Sequence, residues 1–161
     1  MIVRPATAAD HDSIAKVVEA AFGRPDEPRL VEAVRAEGAV LVELAAEDDG
    51  EVVGHILFSR MAAEPPRFVA GLAPLAVAPA RHGQGIGTAL GHAGVEACRV
   101  LGIEAIVVLG HPTYYPRFGF SADAARQVAS PFAGRPSWMA MALKPGALNQ
   151  PIKVDYPAAF G

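Results

Sequence analysis

The residues of this chain best suited to chemistry lie in one stretch, Leu75-Ala76-Val77-Ala78-Pro79-Ala80-Arg81-His82-Gly83-Gln84-Gly85-Ile86-Gly87-Thr88. Glycines at 83, 85 and 87 let the backbone take positive φ and let its N–H groups approach an anion without a Cβ in the way. A helix opening near Gly85 would aim unpaired N–H groups and partial positive charge at the same point. Arg81 and His82 stand where they can add donors. These types and spacing suit a phosphate ligand. Two phosphate motifs fail on detail: a P-loop needs a Gly-Lys-Ser/Thr ending, but Thr88 follows Gly87 directly. A dinucleotide fingerprint needs a third glycine where Leu90 stands. A glycine-rich turn that merely packs a helix closely on a sheet fits the same residues.

Other reactive side chains are scattered. His111, just after the predicted fifth strand, is a candidate for proton removal, a task imidazoles suit. His55, in an apolar run, points either to a core or to a cleft, and a core histidine is the simpler reading. Glu27 reads as a solvated helix-end carboxylate. Cys98, the single cysteine, sits near the far end of a helix, away from the glycine loop, and reads as a structural thiol. One cysteine builds neither a disulfide framework nor, by itself, a metal site, and no metal is expected.

The elements that must position these groups follow from periodicity. Residues 1–4 suggest an edge strand, and Thr7 with Asp10 three positions on has capping-box spacing. Ile14, Val17, Val18, Ala21 and Phe22 form an apolar helical stripe that Gly23 and Pro25 end. A second short helix around Leu30, Val31 and Val34 closes at Gly38. Residues 40–45 and 51–61 read as a hairpin turning at Asp48-Asp49-Gly50, and 68–77 as another strand. Residues 85–101 return to helical spacing. Residues 103–109 are a continuous apolar run, as in a strand buried on both faces. Pro116 limits 111–118 to a short helix. Residues 138–143 alternate as a last strand, and within the Pro/Gly/Ala-rich tail, 144–161, residues 152–156 are extended. The order β-α-α-β-β-β-α-β-α-β is that of one mixed α/β domain.

At 161 residues, 52% hydrophobic and 19% charged, the chain has the composition of one globular domain. It has no apolar run of membrane-spanning length, and its N-terminus, acidic within ten residues, lacks a signal-peptide core. A cytoplasmic location is expected, with no membrane partner. A net charge of −3 argues against nucleic-acid binding. Residues 1–50 hold five basic and eleven acidic side chains, whereas 51–161 hold nine basic and six acidic. An acidic half facing a cationic acceptor and a basic half facing an anionic cofactor would explain the split, as would ordinary surface charge.

The frame His82-Gly83-Gln84-Gly85-Ile86-Gly87 after a strand and a proline resembles the acetyl-CoA-binding motif of the GNAT N-acetyltransferase superfamily. That motif is usually written Gln/Arg-x-x-Gly-x-Gly/Ala. Val3-Arg4-Pro5-Ala6-Thr7 resembles the usual start of the family. Tyr115-Pro116-Arg117-Phe118-Gly119-Phe120 resembles its Tyr-x-x-x-Gly-Phe segment, and the whole run LGHPTYYPRFGF is similar to a subgroup of small bacterial predicted acetyltransferases. The likeness covers roughly residues 1–143. His82 departs from the usual Gln or Arg, and His111 stands where the subgroup typically has an acidic residue.

The resemblance implies a central, mostly antiparallel sheet splayed between its fourth and fifth strands and flanked by helices. It implies that main-chain groups of Leu75, Ala76 and Val77 meet the pantetheine arm and thioester. Residues His82, Gly83, Gln84, Gly85, Ile86, Gly87 and Thr88 would then hold the diphosphate, with Tyr114 packing or touching the cofactor. Tyr115 takes the position of the general acid, and His111 is a candidate base, although water can carry that proton. Attack is direct, in a ternary complex, on acetyl-CoA by a small-molecule amine, an amino sugar, an antibiotic or a protein amino group. The loops at Pro65-Pro66 and 130–137 could wall the acceptor pocket, whereas Phe118, Phe120, Phe132 and Trp138 read as core or rim. A coenzyme A sensor without turnover is the alternative, and a ligand-free interaction partner is a third class. A homodimer built through the tail stays open.

Overall fold

The computed structural model describes residues 1–161. Its elements are β1 (Ile2–Pro5), α1 (His11–Phe22), α2 (Asp26–Glu37), β2 (Val40–Asp48), β3 (Glu51–Glu64), β4 (Val69–Val77), α3 (Ile86–Val100), β5 (Ala105–Leu109), β6 (Val128–Ala129), β7 (Trp138–Ala142) and β8 (Ile152–Asp155). The entry into α1 is fixed by charge. The Thr7 N–H donates to the Asp10 carboxylate at 2.8 Å, and the Arg4 guanidinium donates to both oxygens of the same group at 2.8 and 2.9 Å. These hydrogen bonds outweigh desolvation and hold the Asp10 carboxyl well below its usual range. A 3-10 turn, Ala8–Asp10, leads into α1, whose buried face is Ile14, Val17 and Val18. Phe22, expected in that stripe, is instead 42% exposed and lines a cavity beside the glycine loop.

The main sheet runs β1-β2-β3-β4-β5-β7. Within it every pairing is antiparallel except β4 with β5. The β4–β5 ladder spans only Val69↔Ala105 to Leu72↔Val108. Beyond Leu72 the strands part, for a local reason. The register of β4 against β3 shifts at this point, leaving Ala73-Pro74 as a bulge, and Pro74 has no N–H to continue a ladder. A bulge bends its strand, so residues 73–77 follow β3 and open a fork.

One face of the sheet is covered by α3, with Ile56, Phe58, Leu72 and Ile106 packed against Leu90, Val95 and Cys98. The other face is divided. Helices α1 and α2 cover Ala76 and Leu57, while Met61, Val107, Trp138 and Val154 form a second cluster under the later segments. The tail belongs to this layer. β8 pairs with Ala62, Ala63 and Glu64 at the far end of β3, and also with β6. β6 escaped sequence reading because a two-residue strand carries no periodicity. No helix is long and apolar enough to cross a membrane.

Candidate active site

The loop after β4 is built to leave main-chain donors free. A 3-10 turn, Pro79–Arg81, places His82, whose N–H returns to the Pro79 carbonyl at 3.3 Å. Gly83 and Gly85 then take φ of 78° and 80°, a region costly for any residue with a Cβ. Gly85 caps α3. The N–H groups of Gly83, Gln84, Gly85, Ile86, Gly87 and Thr88, six in a row, have no acceptor in the protein, while the first bond of the new helix runs from Ala89 to the Gly85 carbonyl. Four unpaired N–H groups are normal at a helix start. Here the glycine turn adds to them.

Five of these six residues, all but Gln84, line a cavity of about 580 Å³ together with Leu75 and Val77 of β4 and Tyr114, Tyr115 and Arg117. Its charged lining groups are Arg81 and Arg117, and only Arg117 lacks a carboxylate partner. The unpaired cation on this side, Arg117, comes from the second part of the chain. Six of the eleven acidic residues of the first part are ion-paired, among them Asp10 with Arg4, Glu27 with Arg24 and Glu43 with Arg35. That pairing favours the surface-charge reading of the early acidic excess.

Two side chains expected as phosphate donors have other partners. Arg81 pairs with Asp48 at 2.6 Å. His82 donates from Nε2 to the Val77 carbonyl at 3.0 Å, tying the loop back to β4. Among the β4 residues, the Leu75 and Val77 side chains line the cavity, whereas Ala76 is buried beneath α1. Gln84 is exposed, its amide has no acceptor in the protein, and it is absent from the cavity lining.

The aromatic wall comes from the turn Tyr115–Phe118. The His111 carbonyl accepts the N–H groups of Tyr114 and Tyr115 at 3.0 and 3.4 Å, and the His111 side chain reaches the cavity rim. The Tyr115 ring lies against Gly110 at the end of β5, where any Cβ would collide with it. Burial, helped by Tyr114, pushes the Tyr115 phenol up to about 12, so it is a neutral O–H donor at physiological pH. The Tyr114 hydroxyl leans over Gly87 in the first turn of α3. Arg117 holds it there: its guanidinium stacks on the Tyr114 ring at 3.9 Å, Nε donates to the Tyr114 carbonyl at 2.8 Å, and Nη1 donates to Thr88 Oγ1 at 3.3 Å. Sequence reading passed over Arg117. Its only signal is a position three residues after Tyr114 in a proline-containing turn.

A second cavity, about 340 Å³, opens at the fork and is lined by Leu72 and Ala73 of β4 and Leu109 of β5, with Phe132, Asp155, Tyr156 and Phe160. The loop at 130–137 therefore does wall a pocket, through Pro131 and Phe132, whereas Pro65-Pro66 is absent from it. Glu27 lines neither cavity.

His55 is fully buried on β3 and is a core residue. Its Nε2 bonds to Glu43 at 2.8 Å, Arg35 closes on the same carboxylate at 2.6 Å, and His55 Nδ1 has no partner. Burial lowers the His55 pKa, so the ring is neutral and Nε2–H is the donor. No three His, Cys, Asp or Glu side chains gather as a metal site would require.

The model of the acetyltransferase (GNAT) family matches residues 11–120, a span that includes both the glycine loop and the tyrosine turn. The chain belongs to this family. It is 39% identical over 119 residues to the uncharacterized N-acetyltransferase YjhQ of Escherichia coli K12, a match covering 70% of this chain and 65% of YjhQ. It is 33% identical over 140 residues to YhbS of the same strain, covering 85% and 83%. The solved E. coli YhbS, in complex with CoA, superposes with TM-score 0.91 at 30% identity over 99% of this chain and 91% of that one. A GNAT acetyltransferase from Brucella melitensis, in complex with acetyl-CoA, gives TM-score 0.84 at 34% identity over 99% and 97%. The mixed α/β fold with its mostly antiparallel sheet is thus a GNAT fold.

Proposed function

We propose that this chain is an acetyl-CoA-dependent N-acetyltransferase that passes an acetyl group to a primary amine by direct attack in a ternary complex. The observation that carries the reading is the run of six N–H groups from Gly83 to Thr88 without protein acceptors. A diphosphate fits this cradle. It needs several donors converging without side-chain obstruction, and hydrogen bonds to a charged acceptor are worth about 1.5–3 kcal/mol each. The solved relatives with CoA or acetyl-CoA support the same ligand.

When bound, acetyl-CoA supplies the acetyl group as a thioester. The chain's own residues do the rest. The amides of Gly83 to Thr88 hold the diphosphate, and Arg117 and Tyr114 brace the first turn of α3. Leu75 and Val77, on the part of β4 that no longer pairs with β5, guide the arm toward the fork. Tyr115, neutral through burial, lines the same cavity and can donate its proton to a departing sulfur. His111 stands at the cavity rim, where it can accept a proton, and water there can do the same. The second cavity reaches the fork from the other side and suits the acceptor.

The test is calorimetry with acetyl-CoA, followed by thiol release on adding primary amines. Cys98 does not interfere, because burial pushes its thiol up to about 12. Binding with amine-dependent release is expected. Binding without release on any amine would favour the sensor, and no binding would end the enzymatic reading.

A further inference from the structure

We infer that the acceptor is a monoamine carried on an aromatic or branched apolar body, held in the second cavity with its nitrogen at the fork. The inference rests on the acetyltransferase reading above and adds the class of amine. Leu72 and Leu109 mark the two strand ends at which β4 and β5 part, so a ligand there lies beside the path of the thioester. The walls are rings: Phe132 meets Tyr156 at 6.1 Å between centroids, and Tyr156 meets Phe160 at 4.8 Å. Such walls favour an apolar body and an ammonium over ring faces. The cavity is near the lower end of small-ligand volumes, at about 340 Å³.

Charge narrows the class further. Asp155 is the only acidic side chain in the lining, no Lys or Arg joins it, and it has no ion-pair or hydrogen-bond partner in the protein. The Tyr156 phenol is neutral, because burial pushes it up to about 12. Apart from Asp155 and the main-chain carboxylate at Gly161, the lining is apolar or aromatic. The spread ammonium groups of a polyamine or an aminoglycoside would lie against Phe and Leu, and an acceptor carboxylate would face Asp155.

The transfer balances as follows. The nitrogen enters as an ammonium drawn by Asp155 and gives one proton to water. The free amine then attacks the thioester carbonyl, a C–N bond forms, and the C–S bond breaks with its electron pair going to sulfur. Tyr115 protonates that sulfur, the nitrogen sheds its extra proton to water, and Tyr115 is reprotonated from solvent. The net products are an acetamide, free thiol and one proton.

The full chain with acetyl-CoA should be given 2-phenylethylamine, 3-methylbutylamine, spermidine and kanamycin, with thiol release as the readout. We expect kcat/KM for the two apolar monoamines to exceed those for spermidine and kanamycin by about tenfold or more. Asp155→Asn, at an exposed position, should raise KM for 2-phenylethylamine by about fivefold while the Kd for CoA stays unchanged. Phe132→Ala should raise the same KM. The inference is overturned if spermidine or kanamycin is the better substrate, if none of the four reacts, or if both variants keep the parent KM. Those results with CoA still bound spare the acetyltransferase reading, whereas loss of CoA binding in the parent protein removes both.

Discussion

Replacing Gly87 by alanine separates a bare helix start from a merely flexible one. The residue is not at positive φ, so the backbone accepts alanine, and the substitution should favour the helix by about 0.5–1 kcal/mol. The new Cβ, however, would lie 2.5 Å from the Tyr114 hydroxyl, with Val77 Cγ2 at 3.6 Å and Tyr114 Cζ at 3.7 Å. Non-bonded atoms settle at about 3.5–4.0 Å, so the hydroxyl must withdraw by about 1 Å. Tyr114 cannot tilt freely, because Arg117 stacks on it at 3.9 Å and Phe118 packs at 5.7 Å. Loss of that exposed stack costs about 0.5–1 kcal/mol, which offsets the helical gain. The ligand-free melting temperature should therefore stay within a few degrees of the parent. Coenzyme A binding should not. With Tyr114 and Arg117 displaced from the first turn, we expect Kd to rise by about tenfold, or 1.4 kcal/mol. In Gly87→Ala/Tyr114→Phe the close oxygen is gone and the remaining contacts are ordinary, so Kd should return to within about threefold of Tyr114→Phe alone. Calorimetry on the four proteins reads this cycle. Parent affinity in Gly87→Ala, or a double variant as weak as the single, would refute the reasoning.

Further outcomes follow from two named groups, Tyr115 and Glu43. Tyr115→Phe should lower kcat by about 10–100-fold with Kd for CoA unchanged, because a thiolate leaves with modest help. The parent should also show no falling alkaline limb below about pH 11, since burial holds the phenol near about 12. Glu43 opposes its own burial through hydrogen bonds from His55 and Arg35, which bring its carboxyl down from 4.5 to about 2. A depressed folded pKa contributes stability above the unfolded value and loses it as pH falls, so melts should weaken between about pH 5 and 2. Glu43→Gln should flatten that dependence and cost about 2 kcal/mol at pH 7, measured by denaturant titration.

Much of the architecture was legible because it is written in periods. The stripe of α1 and the run at 103–109 each have a single solution once one face must be buried, and the glycines at 83 and 85 mark the loop by chemistry alone. Three things were not legible. The second cavity joins Leu72, Leu109, Phe132 and Tyr156, which only tertiary packing brings together. The family resemblance placed the fork between the fourth and fifth strands, but its cause, one inserted residue beside Pro74, stayed hidden because a bulge leaves no hydrophobic signature. The roles of Arg81 and His82 as loop fasteners turn on partners at Asp48 and the Val77 carbonyl, and composition is silent about partners.

The backbone amide resonances of Gly83 to Thr88, followed during titration with coenzyme A and separately with pantetheine, address the cradle most directly. These six should move strongly downfield in proton shift with coenzyme A and hardly at all with pantetheine, which lacks the diphosphate. Saturable coenzyme A binding that leaves them in place would put the diphosphate elsewhere and contradict the account.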